Sequence, residues 1–344
     1  DAEHRRNEHQ DLLIEGMFES NDGCKDGYWV TMYIDGEKID ITIDKNGNIT
    51  GTAYSEKGLL ILGTILNAYN EIQLSGGKLS SSEVRDLLIS VQSFYDKNYS
   101  TWAIITDNKK DAVNEFLHHA VIGGFIATQM QKYDNPEYNQ YDMHFGFWTS
   151  FWASRAGLKI KILPKTGRLS YTDEASMSLV DMANIAKAIG YQESRLGTGK
   201  GTHTGSNRGI MQVLPDSHRK DGAGNWDFNC PHWVEKYGNG LKFIEGKDGG
   251  MHIAYNNIGI GVGMLYAKLL RKDTGYNYTS EGRRTAPTFG EMKKAIEFYY
   301  GDIPRKPSEP NVTQYRNSVV SIFLYGEWIN HKDGTREIVW GGKK

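Results

Sequence analysis

Glu193 stands near the end of a largely apolar stretch with helical spacing, and a polar, glycine-rich loop follows it. A carboxylic acid at the edge of a hydrophobic core is partly removed from water, which raises its pKa because the charged form is disfavoured. A carboxyl group that stays protonated near neutral pH can donate its proton to a glycosidic oxygen. A glutamate at a helix end is more often a solvated surface residue, so the case for Glu193 as a general acid depends on the motifs around it.

Three short motifs occur in a fixed order from Glu193 onward. Residues 193–194 read Glu-Ser, residues 209–212 read Gly-Ile-Met-Gln, and residues 254–256 read Ala-Tyr-Asn. This order resembles that of the soluble lytic transglycosylases and goose-type lysozymes, which carry Glu-Ser, then Gly-Leu-Met-Gln, then Ala-Tyr-Asn. The resemblance covers residues 172–330, and residues 1–160 resemble no family that we can name.

The resemblance implies a lysozyme-like fold and cleavage of the β-1,4 bond between MurNAc and GlcNAc in bacterial peptidoglycan. By position it implies that Glu193 is the catalytic acid and that Tyr255, facing it, holds the sugar or stabilises the developing charge. It also implies a set of substrate-binding residues: Ser194, Ser206, Met211, Gln212 and Asn256. It implies no metal and no cofactor.

Goose-type lysozymes carry an aspartate directly after Gly-Leu-Met-Gln-Val, whereas this chain has Leu214 there. Inverting hydrolysis needs a second carboxylate, about 6.5–9.5 Å from the acid, to activate water. The sequence therefore favours lytic transglycosylation, in which the MurNAc 6-hydroxyl closes a 1,6-anhydro ring. The alternative is a hydrolytic lysozyme, or muramidase, that takes its second carboxylate from one of three nearby residues: Asp216, Asp221 and Asp227.

The elements that must position these residues form an α+β fold, mostly α. Alternating apolar residues around Asp-Gly and Asn-Gly turns predict a three-stranded β-meander that ends near Tyr54. Apolar spacing then predicts a buried helix over 59–72, a helix behind a capping box at 80–83, and a helix over 111–131. These elements make up a predicted N-terminal domain of unknown role, residues 1–165.

The second predicted domain is the lysozyme-like, peptidoglycan-cleaving one, residues 166–344, after the turn at 164–167. Its first helix is expected to start at a cap on Thr172 or Asp173 and to end with Glu193. Further helices are expected over 251–270, over 289–300 and beyond 312. Because Asn257-Ile258-Gly259 replaces the Ala-Gly of the family, we also expect a turn after Asn256 that is one residue longer.

Composition limits the other function classes. The chain has 344 residues and a net charge of −2, which argues against a strongly basic partner of nucleic acid. Its apolar runs are far shorter than the ~20 residues of a membrane span. Two cysteines, Cys24 and Cys230, exclude a disulfide-rich scaffold, and whether they pair stays open. A loop at 197–202 resembles a phosphate loop, but glycine follows its lysine where Ser or Thr is required.

The expected partner is the glycan strand of peptidoglycan, with no nucleic acid and no membrane span. The chain begins with Asp1 and shows no signal-peptide core, so we expect a piece of a larger protein. It would act at the cell wall, in the periplasm or outside the cell, delivered by a secretion system or a phage-like particle. Two further readings are the toxic module of such an antibacterial protein and a catalytically dead glycan-binding module.

Overall fold

The computed structural model describes residues 27–105, 111–199, 209–213, 253–271, 274–276, 285–300, 310–330 and 336–338. These residues are mostly helical and include one three-stranded antiparallel sheet and one two-stranded pair, which confirms the α+β class. They fall into two compact units: the first holds residues 27–97 and Val113–Val121, and the second holds the remainder. The predicted boundary at residue 165 lies inside the second unit.

The described elements follow in chain order. The strands are β1 (Gly27–Ile34), β2 (Glu37–Asp44), β3 (Ile49–Ala53), β4 (Trp328–Asn330) and β5 (Arg336–Ile338). The helices are α1 (Glu56–Leu74), α2 (Ser81–Ile105), α3 (Ala112–Gln129), α4 (Asp142–Arg155), α5 (Leu179–Ser194), α6 (Ala254–Leu269), α7 (Phe289–Tyr300) and α8 (Pro310–Tyr325). None of these helices has the length and apolar character that crossing a bilayer requires.

The predicted meander is confirmed in the first unit. Strands β1, β2 and β3 pair in sequence order, and the β1–β2 turn uses Asp35 and Gly36, both at positive φ as a tight hairpin demands. One sheet face is buried under α1, and the outer face keeps large exposed side chains at Trp29, Tyr33 and Tyr54. Asp40 lies on that outer face, covered by neighbouring side chains.

Helix α2 bonds one residue on the free edge of β1 through a side chain. The Gln92 amide nitrogen donates to the Tyr33 carbonyl at 2.9 Å, and its oxygen accepts from the Tyr33 N–H at 2.8 Å. The Asp35 N–H donates to the Tyr95 hydroxyl at 2.9 Å. The predicted capping box at the start of α2 is confirmed, because Ser80 and Glu83 bond each other's backbone N–H.

An aromatic core organises the second unit. Helix α4 packs against both α5 and α6, and its aromatic face is almost fully buried. Close helix approach at α4 depends on Gly146, whose Cβ would lie 2.1 Å from the Gly123 carbonyl oxygen. The Trp152 indole donates to the Gly259 carbonyl at 2.7 Å, which ties α4 to α6.

Three sequence expectations need correction. Helix α5 starts at Leu179, later than Thr172 or Asp173, because Ser178 and Asp181 form a capping box there. Helix α6 runs unbroken from Ala254 to Leu269, so Asn256 is followed by helix and the expected lengthened turn does not occur. In α1 the residues Leu59 and Leu60 are 57% and 62% exposed, so that helix is amphipathic and not buried.

Candidate active site

Glu193 occupies the last turn of α5, and α8 packs alongside it. The Tyr315 hydroxyl on α8 donates to Glu193 Oε1 at 2.5 Å, and the Ser318 hydroxyl donates to Gln192 Oε1 at 2.5 Å. These two bonds join segments more than a hundred residues apart in the chain. One carboxylate oxygen of Glu193 is thus held by a fixed donor.

The environment of Glu193 favours the protonated carboxylic acid. Burial raises the pKa of Glu193 from 4.5 to about 7, against the opposing effect of the Tyr315 hydrogen bond. Its position in the last turn of α5 acts in the same direction as burial, because the negative end of a helix dipole disfavours an anion. The Glu193 carboxyl group therefore keeps its proton to a higher pH than an ordinary glutamate does.

Ser194 fixes the chain that leaves α5. Its buried hydroxyl donates to the Ile210 carbonyl at 2.7 Å and accepts from the Gly197 N–H at 2.9 Å. Arg195, the next residue, takes the left-handed conformation with φ of 54° and ends the helix. Ser194 thereby ties the acid-bearing helix to the Gly-Ile-Met-Gln segment, which makes it a positioning residue in this structure.

Met211 is held through its backbone. Its N–H donates to Asn257 Oδ1 at 2.7 Å, and its carbonyl accepts from the Tyr299 hydroxyl at 3.1 Å. Its side chain is buried against Gly261, whose Cβ would lie 2.5 Å from the Met211 Cβ. A glycine at position 261 is therefore required for α6 to approach this segment so closely.

Gln212 follows in the left-handed conformation, with φ of 48°, and is partly buried. Its side-chain amide donates to the Gly209 carbonyl at 2.7 Å, which closes the segment into a tight turn. A non-glycine residue at positive φ stores backbone strain, and such strain concentrates at functional sites. The Gly-Ile-Met-Gln segment is thus a strained turn clamped from α5, α6 and α7.

Two predicted site residues are deeply buried. Tyr255 is 1% exposed, and its ring centroid lies 4.9 Å from that of Trp148 and 5.8 Å from that of Phe147. Burial raises the pKa of Tyr255 well above its usual range. Asn256 is 2% exposed, and it is the neighbouring Asn257 that bonds Met211. A catalytic role for Tyr255 and a substrate-binding role for Asn256 stay predictions.

The remaining predicted residues lie outside the described part of the chain. These are Ser206 in the polar loop and the three candidates for a second carboxylate, Asp216, Asp221 and Asp227. Cys24 and Cys230 also lie outside it. Within the described ranges, burial and the Tyr315 hydrogen bond account for the pKa of Glu193, and no other carboxylate contributes.

Sequence reasoning missed Tyr315, Tyr299 and Asn257. Tyr315 stands in an apolar stripe of α8 with Val312, Val319 and Ile322, all buried. A tyrosine in such a stripe usually finds a hydrogen-bond partner for its hydroxyl, which is a signal that the sequence does offer. The identity of that partner depends on how α8 packs on α5, which the sequence alone does not give.

No protein-family model, curated protein or solved structure matches the chain. Within the described residues no group of three His, Cys, Asp or Glu side chains is placed to hold a metal ion. The arrangement around Glu193 is therefore interpreted from its own geometry.

Proposed function

We propose that this protein cleaves the MurNAc–GlcNAc β-1,4 bond of peptidoglycan by lytic transglycosylation, with Glu193 as the general acid and base. The observation that carries the proposal is a carboxyl group with a pKa raised to about 7 by burial and with one oxygen held by Tyr315. A general acid works best when its pKa lies near the working pH. The order of the three motifs adds the substrate class.

In the proposed reaction, protonated Glu193 donates its proton to the oxygen that links MurNAc C1 to GlcNAc. The C1–O bond breaks, and positive charge develops at C1 in an oxocarbenium-like transition state. The Glu193 carboxylate then takes the proton of the MurNAc 6-hydroxyl while O6 bonds to C1. No water is consumed, the acid is restored, and the products are a GlcNAc end and a 1,6-anhydro-MurNAc end.

Tyr315 has a defined part in this cycle. Its hydroxyl donates to Oε1, which leaves Oε2 as the oxygen that exchanges protons with the sugar. When Glu193 has given up its proton, the same hydrogen bond becomes charge-assisted and stabilises the carboxylate. Ser194, Asn257 and Tyr299 hold the turn beside the acid.

The fold proposed for residues 166–344 is lysozyme-like, and the proposed place of action is the cell wall. Leu214 stands where goose-type lysozymes carry an aspartate, and a leucine cannot act as a base. This supports ring closure, because the MurNAc 6-hydroxyl is already oriented for attack, whereas water needs a base to activate it. The alternative is hydrolysis, which would require Asp216, Asp221 or Asp227 as the second carboxylate. All three lie outside the described residues.

The test is digestion of purified peptidoglycan sacculi followed by mass spectrometry of the soluble products. We expect muropeptides that end in 1,6-anhydro-MurNAc, each lighter by one water than the product of hydrolysis. Reducing MurNAc ends as the sole product would replace the transglycosylase by a muramidase. Absence of any glycan cleavage by the folded protein would contradict the proposed function itself.

The matched variants are Glu193→Gln and Glu327→Gln. Glu327 is also buried in the second unit, its pKa is also raised by burial, and it accepts the Asn135 N–H, which a glutamine oxygen can accept equally well. We expect Glu193→Gln to slow cleavage of the glycan by about 10²- to 10⁴-fold, because the amide cannot donate the required proton. Glu327→Gln should cleave at the wild-type rate.

A further inference from the structure

The C-terminal end of α7 presents an aromatic ring that lies outside the buried stripe of the helix. The buried stripe of α7 runs through Phe289, Met292, Ile296 and Tyr299 at helical spacing. Tyr300 comes one residue after the last member of this stripe, so it points off the buried side and is 41% exposed. A large aromatic at such a position leaves part of its ring in contact with water.

The place of this ring is specific. Among the large hydrophobic side chains of the second unit that the structure describes, two are exposed: Leu169 and Tyr300. The Tyr300 ring centroid lies 4.7 Å from that of Tyr315, with 38° between the ring planes. Since the Tyr315 hydroxyl donates to Glu193, the exposed ring is one aromatic side chain away from the acid.

We infer that Tyr300 is a sugar-binding platform that holds a pyranose ring of the glycan strand beside the bond that Glu193 cleaves. A pyranose carries its axial C–H bonds on a flat, weakly polar face, and this face packs on an aromatic ring, while the equatorial hydroxyls stay in contact with water. A tyrosine offers a large contact area at a small loss of side-chain entropy, which suits such a contact. The inference rests on the proposed function for its ligand class, an N-acetylated β-1,4-linked glycan.

The packing of Tyr300 on Tyr315 prepares the platform. Tyr315 is 7% exposed and fixed at its hydroxyl by Glu193, so it gives Tyr300 a rigid support on one side. The exposed part of the Tyr300 ring remains accessible to a ligand. A sugar seated there would have its glycosidic oxygen brought toward the acid, which is how binding energy at a neighbouring position aids the reaction.

A competing role for Tyr300 is support of Tyr315 alone. A mere support would act on the acid, so its loss would change kcat and the pH dependence that Glu193 sets. A sugar platform would act on the ligand, so its loss would raise KM and weaken glycan binding without moving the pH profile. The two roles therefore predict different measurements.

The experiment measures binding of the chito-oligosaccharide (GlcNAc)₆ to the full chain carrying Glu193→Gln, by isothermal titration calorimetry. Adding Tyr300→Ala should raise Kd about 5- to 10-fold, the range expected for one aromatic contact. Tyr300→Phe should keep the Kd, because the ring and not the hydroxyl makes the contact. Tyr33→Ala, which removes a tyrosine of similar exposure (45%) from the first unit, is the control and should keep it too.

Kinetics on sacculi with intact Glu193 complete the test. Tyr300→Ala should raise KM by the same factor and leave both kcat and the basic limb of the pH profile unchanged. An unchanged Kd in Tyr300→Ala would overturn the inference. If kcat or the basic limb of the pH profile changed at the same time, Tyr300 would be a support of Tyr315 instead. If the protein bound (GlcNAc)₆ through Tyr300 but cleaved no glycan, the platform would stand while the proposed reaction would fall.

Discussion

Asp40 in the first unit and Glu193 in the second each accept a hydrogen bond from a tyrosine hydroxyl, yet their pKa values shift in opposite directions. Burial raises the pKa of Asp40, but hydrogen bonds from Tyr54 at 2.6 Å and Thr31 at 2.7 Å, with Lys38 3.6 Å away, together lower it. Burial raises the pKa of Glu193 to about 7, and Tyr315 opposes this alone.

The difference lies in depth and in the number of donors. Asp40 is covered by a single layer of side chains on the outer face of a sheet, and three groups favour its charged form. Glu193 lies between helices at the end of α5, with one donor. A tyrosine contact is therefore common to a structural and a candidate catalytic carboxylate, and desolvation decides which of them keeps its proton.

Among the variants that leave both carboxylates in place, the largest effect is expected at Gly261, which packs against Met211. Gly261→Ala would place a methyl group 2.5 Å from both Cβ and Cγ of Met211, so the turn that carries Met211 must move. Since a misplacement of 1 Å at a site costs on the order of 100-fold, we expect a fall of that size in kcat/KM for glycan cleavage. The measurement is release of soluble muropeptides from sacculi.

The control for this change is Gly63→Ala in α1 of the first unit. Gly63 is also helical, and a Cβ there would meet no atom within 4 Å. Alanine should raise the free energy of unfolding by about 1 kcal/mol through helix propensity and leave cleavage unchanged. Wild-type activity in Gly261→Ala would show that α6 does not position the Met211 segment.

The second expected effect is on stability against pH. The pKa of folded Glu193, about 7, exceeds its ordinary value of 4.5, so its contribution to stability is present below pH 4.5 and is lost as pH rises through 7. Glu193→Gln should therefore raise the free energy of unfolding by about 1–2 kcal/mol at pH 8.5, after allowance for partial exposure, and change little at pH 4. Urea unfolding at the two pH values measures this.

Asp40→Asn should show the opposite pH dependence. Because the pKa of folded Asp40 lies below 3.8, its contribution is present above that value and is lost as pH falls through the folded pKa. The variant should be less stable than the wild type at pH 7 and should approach it in acid. Parallel pH profiles for the two variants would contradict the contrast between the carboxylates.

The smallest effect is expected from removing each tyrosine hydroxyl. Tyr315→Phe removes the bond that lowers the pKa of Glu193, so the basic limb of the activity profile should move to higher pH by about 0.5–1 unit. Tyr54→Phe should raise the pKa of Asp40 and leave the activity profile in place. Carboxyl NMR titration and the rate of muropeptide release record the two outcomes, and an unmoved limb in Tyr315→Phe would count against its role.

Local patterns in the sequence predicted the meander and the position of Glu193 at a helix end. The Asp-Gly and Asn-Gly turns predicted the meander, and the apolar spacing before Glu193 placed it at a helix end, because turn chemistry and periodicity act over a few residues. The start of α5 at Ser178 was missed, since Thr172, Asp173 and Ser178 are all good caps and tertiary contacts choose between them.

Long-range contacts were not accessible in the same way. The bond from Tyr315 to Glu193 spans 122 residues, and no local pattern encodes which helix faces the acid. The bond from Asn257 to Met211 depends on α6 continuing through its glycines, which weak helix propensity argued against and close packing made favourable. The packing of α6 against its neighbours stabilises the helix where the propensity of its residues is weak.

The Gln92 amide that bonds Tyr33 on the edge of β1 has a consequence for synthesis of the chain. Gln92 follows Tyr33 by 59 residues, and a ribosome adds about 5–20 residues per second, so roughly 3–12 s separate their appearance. The meander is complete in sequence well before α2 exists to supply this bond. During that interval the edge of β1 at Tyr33 in a nascent chain is open to pairing with another strand.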